Sequence, residues 1–367
     1  MGKTKEERVF FIEDPIHEET SPCEAVGSNL RNICFFLVII ITAFSITTIF
    51  LQGISDQTSN GVYRDAFEAF KIQFNKEYQS ICDEKRAYEV FVMNILDIEE
   101  ERRKQPNVLF ALHPWMDVHP DQIKQEIGLL SDESFPFDLT NSPVFTEFDH
   151  PISRPSSLSL RDKCTPVKNQ GNCGSCWAFS VVAAVETAHA KAGNSLISLS
   201  EQELVECNTS NRGCKGGDRS YAMSFVMQTG LVGDAKYPYS GVDGGQCKLP
   251  TNDTRVFIKD YRLLSKSEDT MADWLFNTGP MTIGMNVTKG LYSYRSGVFH
   301  PTEEDCHNKS EGSHAMTLVG YGTERGEDYW LVKNSWGDYW GDSGYFKLAR
   351  GANVCGMGNH VVAPIYK

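Results

Sequence analysis

Residues 170–180 read QGNCGSCWAFS, and this segment is the most informative in the chain. Small and apolar residues follow at 181–185, and a Gly-Asn pair at 193–194 ends the run, so the pattern predicts a buried helix whose first turn carries Cys176. A thiol at a helix N-terminus lies at the positive end of the helix dipole, which favours the thiolate and lowers the thiol pKa. Because the thiolate is the form that attacks a carbonyl well, Cys176 is a candidate nucleophile.

The segment closely resembles the active-site motif of papain-like cysteine proteases, the cathepsin L-like group especially. Further matching motifs follow in the same order: GCKGG at 213–217, SHAMTLVGYG at 313–322 and WLVKNSWG at 330–337. The resemblance implies an α+β, papain-like two-lobed fold over residues 155–367. A helical left lobe would carry the cysteine, and a β-barrel-like right lobe would face it across a cleft. The catalytic domain is expected to act as a monomer.

The resemblance also implies a role for each matching residue. Cys176 would be the nucleophile, and His314 would act first as the general base and then as the general acid. Asn334 would orient the imidazole, while the Gln170 side chain would stabilise the oxyanion together with the backbone N–H of Cys176. The implied reaction is hydrolysis of polypeptide substrates through a thioester, with no metal or organic cofactor.

The chain has eleven cysteines, an odd number. The family pattern implies three disulfides, which are Cys173–Cys214, Cys207–Cys247 and Cys306–Cys355. The CxxC spacing of residues 173 and 176 also fits a thiol–disulfide oxidoreductase, and a catalytically silent binding module on the same fold is a further alternative. Cys164 has no counterpart in the family, so it is free, joined to another chain, or tethered to Cys82.

The expected substrate-binding positions depart from the cathepsin L-like pattern. Where that group places apolar side chains after Gly217, this chain has Asp218 and Arg219. Gly284 keeps one wall of the S2 pocket small, and His360 stands where the resemblance places the base of that pocket. These residues predict a less strictly hydrophobic S2 pocket with a pH-dependent preference. Alternatively, Asp218 and Arg219 form an ion pair with each other at the rim of the pocket.

Two helices precede the catalytic part. Aromatic residues at 63, 67, 70, 74 and 78 form a stripe along one helical face, and a second amphipathic pattern follows from residue 88. Residues 62–150 resemble the family's inhibitory propeptide, although Ala87 and Arg102 replace the usual Arg and Asn of its motif. The chain's own propeptide is therefore expected to lie along the cleft and inhibit the enzyme. His113 beside Asp117 suggests that its release is sensitive to acid.

The longest apolar run, ICFFLVIIITAFSITTIFL at 33–51, is long enough to cross a bilayer. We interpret 33–52 as a transmembrane signal-anchor and 1–32 as a cytoplasmic tail; a buried core helix and a cleaved signal peptide are the alternatives. This topology predicts a single-pass membrane protein whose catalytic domain lies in the endosomal or lysosomal lumen or outside the cell, with possible release by processing. All four glycosylation sequons follow the run, at Asn208, Asn252, Asn286 and Asn308.

Composition excludes some other classes. The chain has 367 residues, of which 41% are hydrophobic, so bulk disorder is excluded. Lys and Arg number 35 against 48 Asp and Glu, which gives a formal charge of -13. A nucleic-acid partner is not expected, because the chain does not concentrate enough Lys and Arg side chains to displace the counterions of nucleic-acid phosphates.

Overall fold

The computed structural model describes residues 61, 63–126, 144–249 and 252–366. The predicted tail (1–32) and transmembrane segment (33–52) lie outside these residues, so both stay predictions. Within the described ranges, no helix combines the length and the apolar character needed to span a membrane.

Helices occur throughout the described part of the chain. Residues 63–74 (α1) are helical, and the other helices are α2 (Ile81–Lys104), α3 (Pro120–Glu126), α4 (Cys176–Lys191), α5 (Glu201–Cys207), α6 (Arg219–Thr229), α7 (Glu268–Asn277), α8 (Lys289–Tyr292) and α9 (Glu303–Asn308). Serine side chains cap several N-termini. Ser80 accepts a hydrogen bond from the backbone of Asp83, and Ser200 accepts one from Glu203.

The strands are β1 (Leu109–Phe110), β2 (Val144–Phe145), β3 (Leu158–Ser159), β4 (Asp260–Leu264), β5 (Met281–Val287), β6 (Tyr294–Ser296), β7 (Val298–Phe299), β8 (Gly312–Glu324), β9 (Glu327–Lys333), β10 (Tyr345–Ala349) and β11 (Val361–Ile365). The main sheet of the described residues runs β2-β4-β11-β5-β8-β9-β10-β7, with β3 also paired to β8. Antiparallel β5 and β8 place Gly284 opposite Ala315. The sheet therefore brings the residue after His314 next to the glycine expected in the S2 wall.

Two hydrophobic cores match the two expected lobes. One lies among α4, α5 and α6 and includes Trp177, Val181 and Met223. The other lies under the main sheet and includes Trp330 and Phe346. Helix α4 is apolar almost throughout because it packs against α6 on one side and against β8 on the other. The predicted division into a helical lobe and a sheet-rich lobe is confirmed.

The N-terminal helices pack against the sheet-rich lobe. The centre of the predicted aromatic stripe is buried, whereas its ends at residues 63, 74 and 78 are half-buried. Phe67 and Phe70 contact Phe91 of α2, with ring centroids 5.2 and 5.1 Å apart. Strand β1 pairs with β6 of the catalytic part, and Arg102 donates a hydrogen bond to the Phe110 carbonyl at 3.0 Å. The described part of the propeptide thus shares a hydrophobic core and a sheet with the domain that follows it.

The predicted pairing of His113 with Asp117 is wrong. The Asp117 carboxylate binds the Lys76 ammonium at 2.8 Å and the Tyr78 hydroxyl at 2.9 Å. His113 is buried, and its Nδ1 accepts a hydrogen bond from the backbone N–H of Trp115 at 3.2 Å. Burial, together with the nearby positive charge of Lys76, lowers the pKa of His113 to about 3.

Candidate active site

Cys176 is the first residue of helix α4, so its thiol lies at the positive end of the helix dipole. The first turn of α4 contains no acidic residue that would oppose a negative charge there. The backbone amides of Ala315 on strand β8 and of Trp177 lie near enough to the sulfur to act toward a lower thiol pKa. Because Ala315 directly follows His314, the fold brings Cys176 close to the residue expected to be its general base.

His314 is oriented from two sides. Its Nε2 lies 2.7 Å from the Oδ1 of Asn334, and its ring stacks on Trp336 with centroids 4.8 Å apart and planes 25° apart. An amide oxygen only accepts, so Nε2 carries the proton and Nδ1 has a free lone pair. Nδ1 is buried and has no hydrogen-bond partner among the described residues. This tautomer is the one that a general base for Cys176 needs.

Gln170 lies on the other side of Cys176. Its Oε1 accepts a hydrogen bond from the Ser335 hydroxyl at 2.6 Å, and its Nε2 donates to the carbonyl of Cys173 at 3.0 Å. The first contact fixes which side of the amide carries the donors. The side-chain N–H groups therefore face the loop just before Cys176, as an oxyanion donor requires.

Hydrogen bonds between the lobes align these groups. Thr317, three residues after His314 on β8, donates to the carbonyl of Ser180 on α4 at 2.9 Å. The Gln170 N–H donates to the carbonyl of Ser335 at 2.9 Å. The cysteine and the histidine are thus held by two elements that are bonded to each other.

Burial determines which protonation states Cys176 and His314 favour while the propeptide is attached. Cys176 is 0% exposed and His314 is 1% exposed. Burial raises the pKa of the Cys176 thiol, although the amides of Ala315 and Trp177 and the positive charge of Arg219 act in the opposite direction. Burial also lowers the pKa of His314 to about 4, against the effect of its bond to Asn334. The lowered thiol pKa expected from the helix dipole is therefore not found here, because loss of hydration outweighs it and favours the neutral thiol and imidazole.

Arg219 lies against two of the other residues expected in the S2 pocket, His360 and Gly284. The Arg219 Nη2 donates to the His360 carbonyl at 2.5 Å and lies 2.8 Å from its Nδ1. A Cβ added to Gly284 would lie 2.7 Å from the Arg219 Nη1, so the guanidinium occupies the space that a larger residue would take. Gly217 lies against the Trp177 ring, which a Cβ there would approach to 2.5 Å.

Two expectations about this pocket are corrected. Asp218 does not pair with Arg219 through an ion pair; its carboxylate instead caps helix α6 by accepting from the N–H groups of Ser220 and Tyr221. Burial and the positive charge of Arg219 lower the pKa of His360 to about 2, so His360 stays neutral between pH 5 and 7. Titration of His360 therefore gives no support to a pH-dependent S2 preference. The direct contact between Arg219 and His360 was not foreseen, since no local pattern links residues 141 positions apart.

The three disulfides that the resemblance implied are present, namely Cys173–Cys214, Cys207–Cys247 and Cys306–Cys355. Cys176 therefore has no dithiol partner at Cys173, which excludes thiol–disulfide exchange through that pair. Cys164 also carries a free thiol, and it is buried against the Leu160 carbonyl and the Thr187 hydroxyl. The suggested tether from Cys164 to Cys82 is thus not formed.

The four sequons differ in accessibility. Asn252 and Asn308 are exposed, as a glycan requires. Asn208 is only 5% exposed, and the amide nitrogen of half-buried Asn286 donates to the Cys306 carbonyl at 3.0 Å. The folded chain therefore offers no room for a glycan at Asn208 and engages the acceptor nitrogen of Asn286.

Comparison with known proteins agrees with this geometry. Residues 154–365 match the model of the papain family cysteine proteases. A probable cysteine protease of Arabidopsis thaliana is 31% identical over 88% of this chain and 93% of its own length. Bovine pro-cathepsin H is 34% identical over 85% of this chain and 93% of its own length. Among solved structures, the digestive procathepsin L2 proteinase of Tenebrio molitor superposes with a TM-score of 0.73 at 32% identity, over 83% of this chain and 99% of that one.

Proposed function

The chain belongs to the papain family of cysteine proteases, and on that basis we propose that it is a latent proenzyme of a cysteine endopeptidase whose nucleophile is Cys176. The observation that carries the assignment is the arrangement of His314. Its Nε2 is hydrogen-bonded to Asn334, its Nδ1 has no hydrogen-bond partner among the described residues, and the backbone amide of the adjacent Ala315 lies near enough to Cys176 to act on the thiol pKa. A catalytically silent module would have no need of this tautomer.

Each of these groups has a step in peptide hydrolysis. In the matured enzyme His314 Nδ1 takes the thiol proton, the resulting thiolate of Cys176 attacks the scissile carbonyl, and the Gln170 amide and the Cys176 backbone N–H bind the oxyanion. His314 then gives the proton to the leaving amine, and a thioester remains. Water, deprotonated by His314, hydrolyses the thioester and regenerates the thiol. Asn334 holds the imidazole in one tautomer and stabilises its protonated form throughout.

The docking of the described propeptide helices on the sheet-rich lobe supports latency. Strand β1 and helix α2 bind the sheet-rich lobe, and the catalytic pair is buried in a state that favours neutral groups. The matched procathepsin structure likewise carries its propeptide. Removal of the propeptide would hydrate the catalytic pair and allow proton transfer from Cys176 to His314.

An epoxide thiol trap and a peptide-hydrolysis assay test this function. The matured protein should be labelled at Cys176 and should hydrolyse peptides, whereas Cys176→Ser and His314→Ala should lose at least about 10³-fold in kcat. Cys164→Ser removes the second free thiol of the described residues and serves as the matched control, with unchanged activity. Peptide hydrolysis by Cys176→Ser at the rate of the unaltered enzyme would exclude the proposal.

We further propose that residues 33–52 anchor the proenzyme in a membrane with the catalytic domain in the endosomal or lysosomal lumen or outside the cell. The apolar run and the exposed sequons at Asn252 and Asn308 support this topology. The full chain should resist alkaline extraction from membranes, and glycosidase treatment should reduce its mass. Complete extraction of the full chain at alkaline pH would contradict the anchor.

A further inference from the structure

The guanidinium of Arg219 is a buried cation with an unused donor. The residue is 6% exposed, and its Nη1 is buried without a hydrogen-bond partner. Within the described ranges, no carboxylate oxygen lies within 4.0 Å of this side chain. Buried charges in folded proteins are normally paired, because an unpaired one loses its hydration without replacement.

Neither of the two neighbouring groups that could compensate the charge forms a hydrogen bond with Nη1. The oxygen of Asp218 that faces helix α6 accepts from Ser220 and Tyr221, so it serves as the helix cap. His360 offers Arg219 a ring nitrogen and a carbonyl, both neutral. Asp218 acts on Arg219 only through space, without an ion pair, so the Nη1 donor is left for a ligand.

The unused donor lies beside the nucleophile. The Arg219 Nη1 occupies the space above Gly284, and Gly284 pairs across the sheet with Ala315, whose backbone amide lies near enough to Cys176 to act on its thiol. The guanidinium is also close enough to influence the charge of Cys176 through space. A peptide whose carbonyl is held at Cys176 therefore places a neighbouring side chain within reach of Nη1.

We propose that Arg219 is a specificity-determining residue that selects polypeptide substrates with Asp or Glu at P2, the second residue on the acyl side of the scissile bond. The inference rests on the proposed peptidase function and on Arg219, Gly284 and His360 forming the S2 pocket. A P2 carboxylate accepts a hydrogen bond from Nη1 and compensates the buried charge. A Leu or Phe side chain at P2 leaves the Arg219 guanidinium without an anionic partner and also excludes water from it, which opposes binding.

Matched peptides that differ only at P2 test this proposal on the matured enzyme. We expect kcat/KM for P2 Glu to exceed that for P2 Gln, which has the same shape without the charge, by about 10- to 100-fold. P2 Leu should also be cleaved more slowly than P2 Glu. This comparison needs no variant, so it holds even if substitutions at position 219 impair folding.

Variants then assign the preference to the residue. Arg219→Met should abolish the advantage of Glu over Gln and improve cleavage of the peptide with Leu at P2, whereas Arg219→Lys should keep part of the advantage of Glu. Arg262→Met, which removes a cation from the partly exposed strand β4, is the control and should leave the P2 ratio unchanged. If Arg219 had only a structural role, Arg219→Met would lower kcat/KM for all peptides equally.

The outcomes separate the two levels of inference. Efficient cleavage of peptides with Leu or Phe at P2, with no advantage for Glu, would overturn the proposed preference and leave the peptidase function intact. An equal loss for every peptide in Arg219→Met would overturn the specificity role. Absence of both peptide cleavage and epoxide labelling at Cys176 would overturn the function and the preference together.

Discussion

Replacing His113 by Gln should make release of the propeptide less sensitive to acid. His113 is 6% exposed and lies between Trp115 of the propeptide and Tyr292 of the catalytic part, with ring centroids 5.6 and 6.5 Å away. Its Nδ1 already accepts the Trp115 N–H, so protonation there would break a hydrogen bond as well as bury a charge. The docked propeptide therefore favours the neutral imidazole.

The magnitude follows from the difference in proton binding. The pKa of His113 is about 3 when docked, against about 6.5 for an exposed histidine. Between these values the released propeptide binds a proton that the docked one does not, so docking weakens as the pH falls, by about 1.4 kcal/mol per pH unit. At pH 5 the loss is about 2 kcal/mol relative to neutral pH, and at pH 7 almost none of it is present.

The assay is the rate of autoactivation of the proenzyme as a function of pH. The His113→Gln variant cannot take up the proton, so its activation midpoint should move to lower pH, while latency at pH 7 should be kept. His119→Gln is the matched control, because that propeptide histidine is half-exposed, and it should leave the midpoint unchanged. An identical pH profile for His113→Gln and the unaltered proenzyme would refute the reasoning.

Three further outcomes follow from the site and its supports. Asn334→Ala should lower kcat by about 10- to 100-fold with little change in KM, since it removes the 2.7 Å bond that orients His314, and steady-state kinetics checks this. Gly217→Ala should destabilise the chain by about 1–3 kcal/mol because its Cβ meets the Trp177 ring, whereas Gly233→Ala, with 3.7 Å to the nearest atom, should leave the melting temperature nearly unchanged. Arg219→Met should raise the pKa of Cys176 in the matured enzyme, measured as the pH dependence of thiol alkylation, because it removes a nearby positive charge; an unchanged alkylation profile would show that the charge does not act on the thiol.

Local patterns and the family motifs were sufficient to predict the secondary structure that carries the candidate catalytic residues. Cys176 begins a helix and His314 lies on a strand, as the sequence motifs indicated, and the centre of the aromatic stripe of the propeptide is buried. These features depend on residues close together in sequence, or on motifs specific enough to identify the fold. They do not depend on which distant side chains meet.

The expectations that were wrong concern partners and solvation. His113 and Asp117 are four residues apart, yet the carboxylate binds Lys76 instead, because the chain between them forms no helix and α1 is followed by a turn that brings Lys76 close. Likewise, the contact of Arg219 with His360 joins two ends of the catalytic domain. The pKa of Cys176 could not be judged from its helix position alone, since burial outweighs the dipole in the proenzyme.

The rate of alkylation of Cys176 against pH, compared between the proenzyme and the matured enzyme in a Cys164→Ser background, tests the central claim most directly. Once the propeptide is gone, the sulfur should react rapidly even at pH 5, because His314 holds its proton, while the proenzyme should be nearly unreactive at the same pH. If the matured enzyme instead becomes reactive only above the ordinary thiol pKa of about 8.5, no thiolate–imidazolium pair forms and the account is contradicted.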